Sequence, residues 1–405
     1  MMKAPILNPR AVNLSNYPFD SLRALLDPIS PPEGVTPLAL SIGEPKHTPP
    51  ALIKETLNAH ADFWGRYPPI DGTADFRNAV GGWLNRRFNL NDGFIDPDSQ
   101  ILPVIGTREA LFMAALLAVD ASDSVRRPAV LFPNPLYHVY SGAAEMSGAD
   151  AITMAATRQT GFLPDLDAID EGTLSRAAIM FLCSPANPQG TVASADYLKK
   201  AIDMARQYGF VLALDECYSE IYSDHPPIGG AEICQQMGDG MKNVLIFHSL
   251  SKRSSAPGLR SGFVAGDPSL IKPFKRLRSF GGATMPMPIM AASSALWLDE
   301  VHVDENRALY RQKFDLADQL LSGHFEYERP AGGFFLWLDV SAQGGGVEAA
   351  KRLWAQAGLR VLPGAFLSRI EPDGSNPGAN YIRVALVHPP ETTKIALEGI
   401  LKVLR

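Results

Sequence analysis

A chain of 405 residues, 46% hydrophobic and 20% charged, is long enough to bury a large core, and its length suggests two or more domains. A net charge of −6 gives no general electrostatic reason to hold nucleic acid, and no run approaches the ~20 apolar residues of a membrane span. Three cysteines, Cys183, Cys217 and Cys234, are too few and too scattered for a disulfide framework or a zinc site, which fits a reducing cytosol, and residues 1–10 lack the apolar core of a signal peptide.

Residues up to about Pro37 are rich in Pro, Asn and Ser and carry one short helical pattern at 19–26. Residues 1–39 are therefore expected to form an arm that packs with a small domain. From about Leu40 helical segments alternate with short apolar strands, as expected of a mainly parallel α/β sheet, and residues 40–285 are expected to form the large domain. Val104-Ile105 leads into Gly106-Thr107-Arg108-Glu109 and then a buried helix beginning near Ala110. Strand, glycine, small hydroxyl residue and helix start together make an anion site from backbone N–H groups and the positive end of the helix dipole. A plain capped helix start is the competing reading. The strand at 177–182 runs into Ser184-Pro185-Ala186-Asn187-Pro188-Gln189-Gly190, a turn with Asn187 at its centre and a side-chain amide able to donate to an anionic oxygen. Residues 194–208 read as a helix with a Ser start and Gly209 as the stop.

The apolar run at 210–214 ends in Asp215-Glu216-Cys217-Tyr218. A carboxylate at the carboxyl end of a buried strand lies where open α/β sheets bind ligands, although Asp215 as the cap of a following helix reads equally well. Val244-Leu245-Ile246-Phe247 ends in Ser249-Leu250-Ser251-Lys252-Arg253, with Arg260 eight residues beyond Lys252. A poorly solvated lysine has its pKa lowered, so its free amine can attack a carbonyl, while a hydroxyl and an arginine fork hold a phosphate. Pyridoxal 5′-phosphate offers both handles. By itself the short string also fits a strand-end lysine facing solvent. Gly281-Gly282 and the prolines at 286 and 288 break the chain before a long helical stretch through Leu321. A strand ending at Asp339, a helix from about Val347, a strand around Arg383 and a last helix from Glu391 make residues 286–405 a smaller α+β domain.

Taken in order, Gly-Thr-x-Glu, Asn-Pro-x-Gly, Asp-x-x-Tyr, Ser-x-Ser-Lys and the following arginine resemble the class I/II family of fold-type I pyridoxal-phosphate aminotransferases, from Ser41-Ile42-Gly43-Glu44-Pro45 to the Arg383 region. The resemblance implies that Lys252 is the Schiff-base lysine and proton shuttle. Asp215 then partners the ring nitrogen and keeps the ring an electron sink, with Asn187 and Tyr218 at the phenolic oxygen. Tyr137 takes the place of the stacking aromatic. Thr107, Arg108, Ser249 and Arg260 hold the phosphate, the first two through their backbone. Arg383 grips the substrate α-carboxylate, and Gly43 lets the backbone close over it. Tyr67 matches the tyrosine that reaches the neighbouring subunit's phosphate, which implies a homodimer with shared active sites.

Within the family, the block from Ser249 to Asp267, with Tyr17-Pro18-Phe19-Asp20 upstream, looks most like the succinyldiaminopimelate aminotransferases. That likeness implies an N-succinyl-diaminopimelate donor, 2-oxoglutarate as acceptor and a cytoplasmic enzyme of lysine biosynthesis. The loop 281–288 lacks the arginine that some aspartate aminotransferases lend to a distal carboxylate, which disfavours a short dicarboxylate donor. Arg253, Lys275, Arg276 and Arg278 are candidates for the succinyl carboxylate and equally well explained as solvated surface charge. An aminotransferase of common amino acids keeps every motif, and a β-carbon–sulfur lyase on the same fold keeps Lys252, Asp215 and Arg383. A cofactor-binding regulator is disfavoured, since no N-terminal segment here is long or basic enough for a DNA-binding module.

Overall fold

The apolar runs at 177–182 and 210–214 become the middle of a sheet. The computed structural model describes residues 6–122 and 126–405, and residues 1–5 of the expected arm lie outside them. Among the described residues one sheet has seven strands: β1 (Ile101–Val104), β2 (Ala129–Asn134), β3 (Asp150–Ala155), β4 (Ala177–Cys183), β5 (Val211–Asp215), β6 (Val244–Ser249) and β7 (Gly262–Gly266). Their order is β1-β7-β6-β5-β4-β2-β3, parallel throughout except that β7 runs against both its neighbours.

β5 and β6 are wholly buried, which is why they read as unbroken apolar runs rather than as alternation. The pleat nevertheless sorts their side chains. Leu212, Leu214, Val244 and Ile246 enter the core on one face, while Val211, Ala213, Leu245 and Phe247 enter the core on the other. Helices cover both. Helix Ala195–Tyr208 packs Leu198, Ala201, Ile202 and Ala205 onto the first core; Ser194 Oγ accepts from Tyr197 N–H at 3.2 Å at its start, and Gly209, at φ 79°, stops it. Helix Thr107–Ala118 covers the second.

The second unit is built on an antiparallel sheet in which β10 (Tyr381–Ala385) lies between β9 (Leu362–Pro363) and β8 (Phe335–Asp339). Helices Val301–Leu321, Gly345–Ala357 and Pro390–Leu404 share its core with Ile382 and Val384, so alternation along β10 turns Arg383 to the opposite face. The arm helix Pro18–Leu26 joins this unit, packing Leu22 and Leu26 against Leu362 and Leu367. Helix Met287–Leu298 does not. It gives Met290, Leu296 and Trp297 to the core of the large sheet, although it follows the expected boundary at 285/286. Among the described residues no helix is long and apolar enough to cross a membrane.

Candidate active site

β1 and β6 both lie antiparallel to β7 and therefore run the same way, so the carboxyl ends of β1, β4, β5 and β6 open on one edge of the sheet. Gly106 and Thr107 follow β1, Asn187 follows β4, Asp215 ends β5, and Ser249 with Lys252 follow from β6. These residues and Arg383 line one cavity of about 400 Å³, a size that holds a cofactor-sized ligand.

Asp215 is 5% exposed. Its Oδ2 accepts from Tyr140 Oη at 2.9 Å and its Oδ1 from Cys217 N–H at 3.3 Å. Burial raises its pKa, and these donors oppose the rise. No helix begins at residues 216–218, so the reading of Asp215 as a helix cap does not hold. A dry carboxylate with a raised pKa is suited to a cationic partner delivered by a ligand. Lys252 sits on the one-turn helix Leu250–Arg253, its Nζ against the carbonyl of Gly43 and 5.1 Å from the centre of the Phe334 ring. Burial lowers its pKa to about 8, with Arg383 and Arg260 pushing the same way against Cys217 and Glu44.

Arg383 is 5% exposed and, among the described residues, pairs with no carboxylate. Its Nη1 donates to Asn187 Oδ1 at 3.0 Å and its Nη2 to Ser41 O at 2.6 Å, while Nε is buried without a partner. The guanidinium lies 4.3 Å from the Phe335 ring centre. Burial lowers its pKa to about 10, which leaves it a cation at neutral pH. Gly43 is where this packing demands glycine, because a Cβ there would fall 2.6 Å from Phe335 Cζ.

Gly106, at φ 72°, precedes helix Thr107–Ala118, and a Cβ on it would fall 2.2 Å from Arg260 Nη2. Glycine thus lets the arginine lie against an open helix start, making a cradle for an anion. Ser249 Oγ accepts from Ser251 N–H at 3.1 Å and so also caps the lysine's helix. Tyr137 accepts at its Oη from Arg108 Nε, 3.0 Å away, and Tyr218 packs edge-on to Phe334. Tyr67 is fully exposed and lines no part of its own chain's cavity.

Two features escaped the sequence reading. Tyr140, the hydrogen-bond donor to Asp215, sits three residues after Tyr137 on helix His138–Ser147, and that spacing was its only signal. Tyr17, Pro18 and Phe19 of the arm form part of the cavity wall. The four cations offered for a distal carboxylate are all elsewhere. Arg253, 2% exposed, donates to Leu296 O and Glu300 and stacks 5.0 Å from the Trp297 ring centre. Arg278, also 2% exposed, pairs with Glu109 at 2.6 Å, and Lys275 pairs with Asp71 at 2.6 Å. Arg276 is exposed outside the cavity. Neither Arg253 nor Arg278 is the solvated charge the sequence suggested.

Residues 35–400 match the family model of aminotransferases of class I and II. The chain belongs to that family. It is 33% identical to 4-dedimethylamino-4-oxo-anhydrotetracycline transaminase OxyQ of Streptomyces rimosus, over 89% of this chain and 91% of that one. It is 30% identical to an LL-diaminopimelate aminotransferase of Dehalococcoides mccartyi, over 92% and 91%. A crystal structure of an aminotransferase from Neisseria meningitidis superposes with a TM-score of 0.93 at 40% identity, covering 98% of this chain and all of that one. The fold is fold-type I, and the chain is an aminotransferase that depends on pyridoxal 5′-phosphate. The donor set fits that cofactor: a buried carboxylate, a lysine of lowered pKa, and an arginine-lined cradle at a helix start that a Cβ on Gly106 would fill.

Proposed function

We propose that this chain transfers an amino group from N-succinyl-LL-2,6-diaminopimelate to 2-oxoglutarate, working as a cytoplasmic homodimer with shared active sites. When bound, pyridoxal phosphate supplies an aldehyde for amine exchange and an electron-withdrawing ring. Lys252 would hold the cofactor through its amine and would take up and return the proton at the substrate Cα. Asp215 holds a proton at the ring nitrogen, oriented by Tyr140. Asn187 and Tyr218 bind the phenolic oxygen, Tyr137 stacks on the ring, and Thr107, Arg108, Ser249 and Arg260 hold the phosphate. Arg383 binds the substrate α-carboxylate with Gly43 beside it.

The observation that carries the amino-acid reading is Arg383, a buried cation with no carboxylate partner among the described residues and a free Nε, in the same cavity as Lys252. Support for a long donor comes from relatives named for LL-diaminopimelate and from a wall built by Tyr17, Pro18 and Phe19 rather than by a cation from loop 281–288. A fully exposed Tyr67 is compatible with service in a neighbouring subunit.

The test is glutamate formation from 2-oxoglutarate with single donors. N-succinyl-LL-diaminopimelate is expected to exceed alanine, aspartate and glutamine at least about tenfold in kcat/KM. Preference for a common amino acid overturns the donor and leaves the aminotransferase. Pyruvate and ammonia released from a cysteine conjugate, with no acceptor present, would mark a lyase.

A further inference from the structure

Lys313 is fully buried on helix Val301–Leu321, and no step above uses it. Its Nζ donates to Leu386 O at 2.8 Å and lies 2.6 Å from His47 Nε2. Burial lowers the pKa of Lys313 to about 7, and its amine carries N–H groups to donate whether charged or neutral. Asn306 turns its Nδ2 to two carbonyls, so its Oδ1 faces His47 Nδ1, the proton of the neutral ring sits on Nδ1, and Nε2 is the acceptor from Lys313. That N–H donates to Asn306 Oδ1 at 2.6 Å. With its oxygen committed to His47, the Asn306 amide turns Nδ2 to the carbonyls of Lys252, at 3.1 Å, and Arg253, at 3.2 Å. These carbonyls end the one-turn helix Leu250–Arg253 and have no following turn to satisfy them. Burial, and after it Lys313, lowers the pKa of His47 to about 4, so the ring is neutral as this chain of bonds requires.

The network meets the active site from three sides. Leu386 follows β10, which carries Arg383. His47 lies four residues beyond Gly43, whose carbonyl touches Lys252 Nζ. Ser255 Oγ, just past the lysine's helix, donates to His47 O at 3.0 Å. A side-chain amide does not pass a proton along, so the chain orients groups and relays no charge.

We propose that Lys313 is a positioning residue which, through His47 and Asn306, fixes the backbone of Lys252 and hence the direction from which its amine enters the cavity. The inference rests on Lys252 being the amine that joins the cofactor. The test uses cofactor-free Lys313→Met, Asn306→Ala, their double variant and Lys252→Ala, each mixed with pyridoxal phosphate while covalent capture is followed by absorbance and confirmed by borohydride reduction and peptide mapping.

Lys313→Met and Asn306→Ala are each expected to slow capture about tenfold, with the double variant no slower than either, because both act on one element. In turnover, kcat falls by a similar factor while the donor KM changes less than about twofold. Capture at the normal rate by folded Lys313→Met, or losses that multiply in the double variant, overturns the proposal. Where Lys313→Met does not fold, the pair His47→Phe with Lys313→Met replaces both groups by apolar ones. It is expected to regain Tm but not the capture rate, and recovery of both overturns a positioning role in favour of a structural one. Full-rate capture by Lys252→Ala overturns the underlying assignment, whereas loss of capture there with normal capture in Lys313→Met overturns only the positioning.

Discussion

Arg383→Ala tests the substrate end of the site, and the structure sets the size of the effect. A hydrogen bond to a charged group contributes ~1.5–3 kcal/mol, so a two-pronged grip on a carboxylate contributes ~3–6 kcal/mol. Against this stand the bonds that Arg383 gives up to Asn187 Oδ1 and Ser41 O, ~0.5–1.5 kcal/mol each, while Nε has none to lose. The net is ~2–3 kcal/mol, a roughly 30- to 150-fold loss in kcat/KM for an amino-acid donor. Arg383→Lys keeps the charge but not the planar fork, and is expected to recover less than about tenfold of the loss. The assay compares initial rates for the donor and for the corresponding amine without an α-carboxylate. The amine's rate is expected to stay within about twofold of the parent enzyme's. A loss below about fivefold for the amino acid, or an equal loss for the amine, refutes the assignment.

Lys252→Ala is expected to abolish the covalent link to pyridoxal phosphate, and a borohydride-reducible adduct persisting on the same peptide would refute it. In cofactor-free protein, with its pKa lowered from 10.5 to about 8, Lys252 should be labelled by an amine-reactive reagent with a midpoint near pH 8. The folded state binds that proton less tightly than the unfolded chain, so Lys252 destabilises the apoprotein below pH 8 and does so less as pH climbs to 10.5. Lys252→Met should accordingly raise Tm at pH 7 by an amount that shrinks by pH 10, and a gain that grows with pH contradicts the burial argument. Gly106→Ala should weaken pyridoxal-phosphate binding at least about tenfold in an absorbance titration, since its Cβ displaces Arg260 and its φ is strained; unchanged affinity removes Arg260 from the phosphate site. Arg253→Met should destabilise by ~2–4 kcal/mol in urea unfolding, because Leu296 O and Asp299 O lose a buried donor, with the half-exposed Glu300 adding little; a change under ~1 kcal/mol means those groups find other partners.

What was legible in the sequence is what depends on near neighbours. The ends of β4, β5 and β6 could be read because buried parallel strands are continuous apolar runs, and Asp215 at the end of one, with Asn187 and Lys252 a few residues past the others, falls at the edge where the cavity opens. Helix Ala195–Tyr208 could be read because its cap and its stop lie within the segment. The apolar character of helix Met287–Leu298 was also in the string, since a helix apolar on nearly every side belongs in a core. Which core it joins was not legible, because only two residues separate it from helix Val301–Leu321 and the two read as one long helical stretch.

The remainder depends on partners remote in sequence, and charge is where composition misleads most. Arg253 resembles any residue of a basic surface turn until Leu296, Trp297 and Glu300, more than forty positions on, close around it. Lys313 has apolar Phe314 beside it but also Arg311, Gln312 and Asp315, a pattern that suits an exposed helix face. Its burial follows only from His47 and Leu386, which arrive from opposite ends of the chain to take its protons. Such groups are dehydrated at an energetic loss that apolar side chains of the same volume would not incur. Their presence around the one-turn helix of Lys252, where a purely apolar core would leave the carbonyls of Lys252 and Arg253 without donors, ties the polar network to the orientation of a single amine.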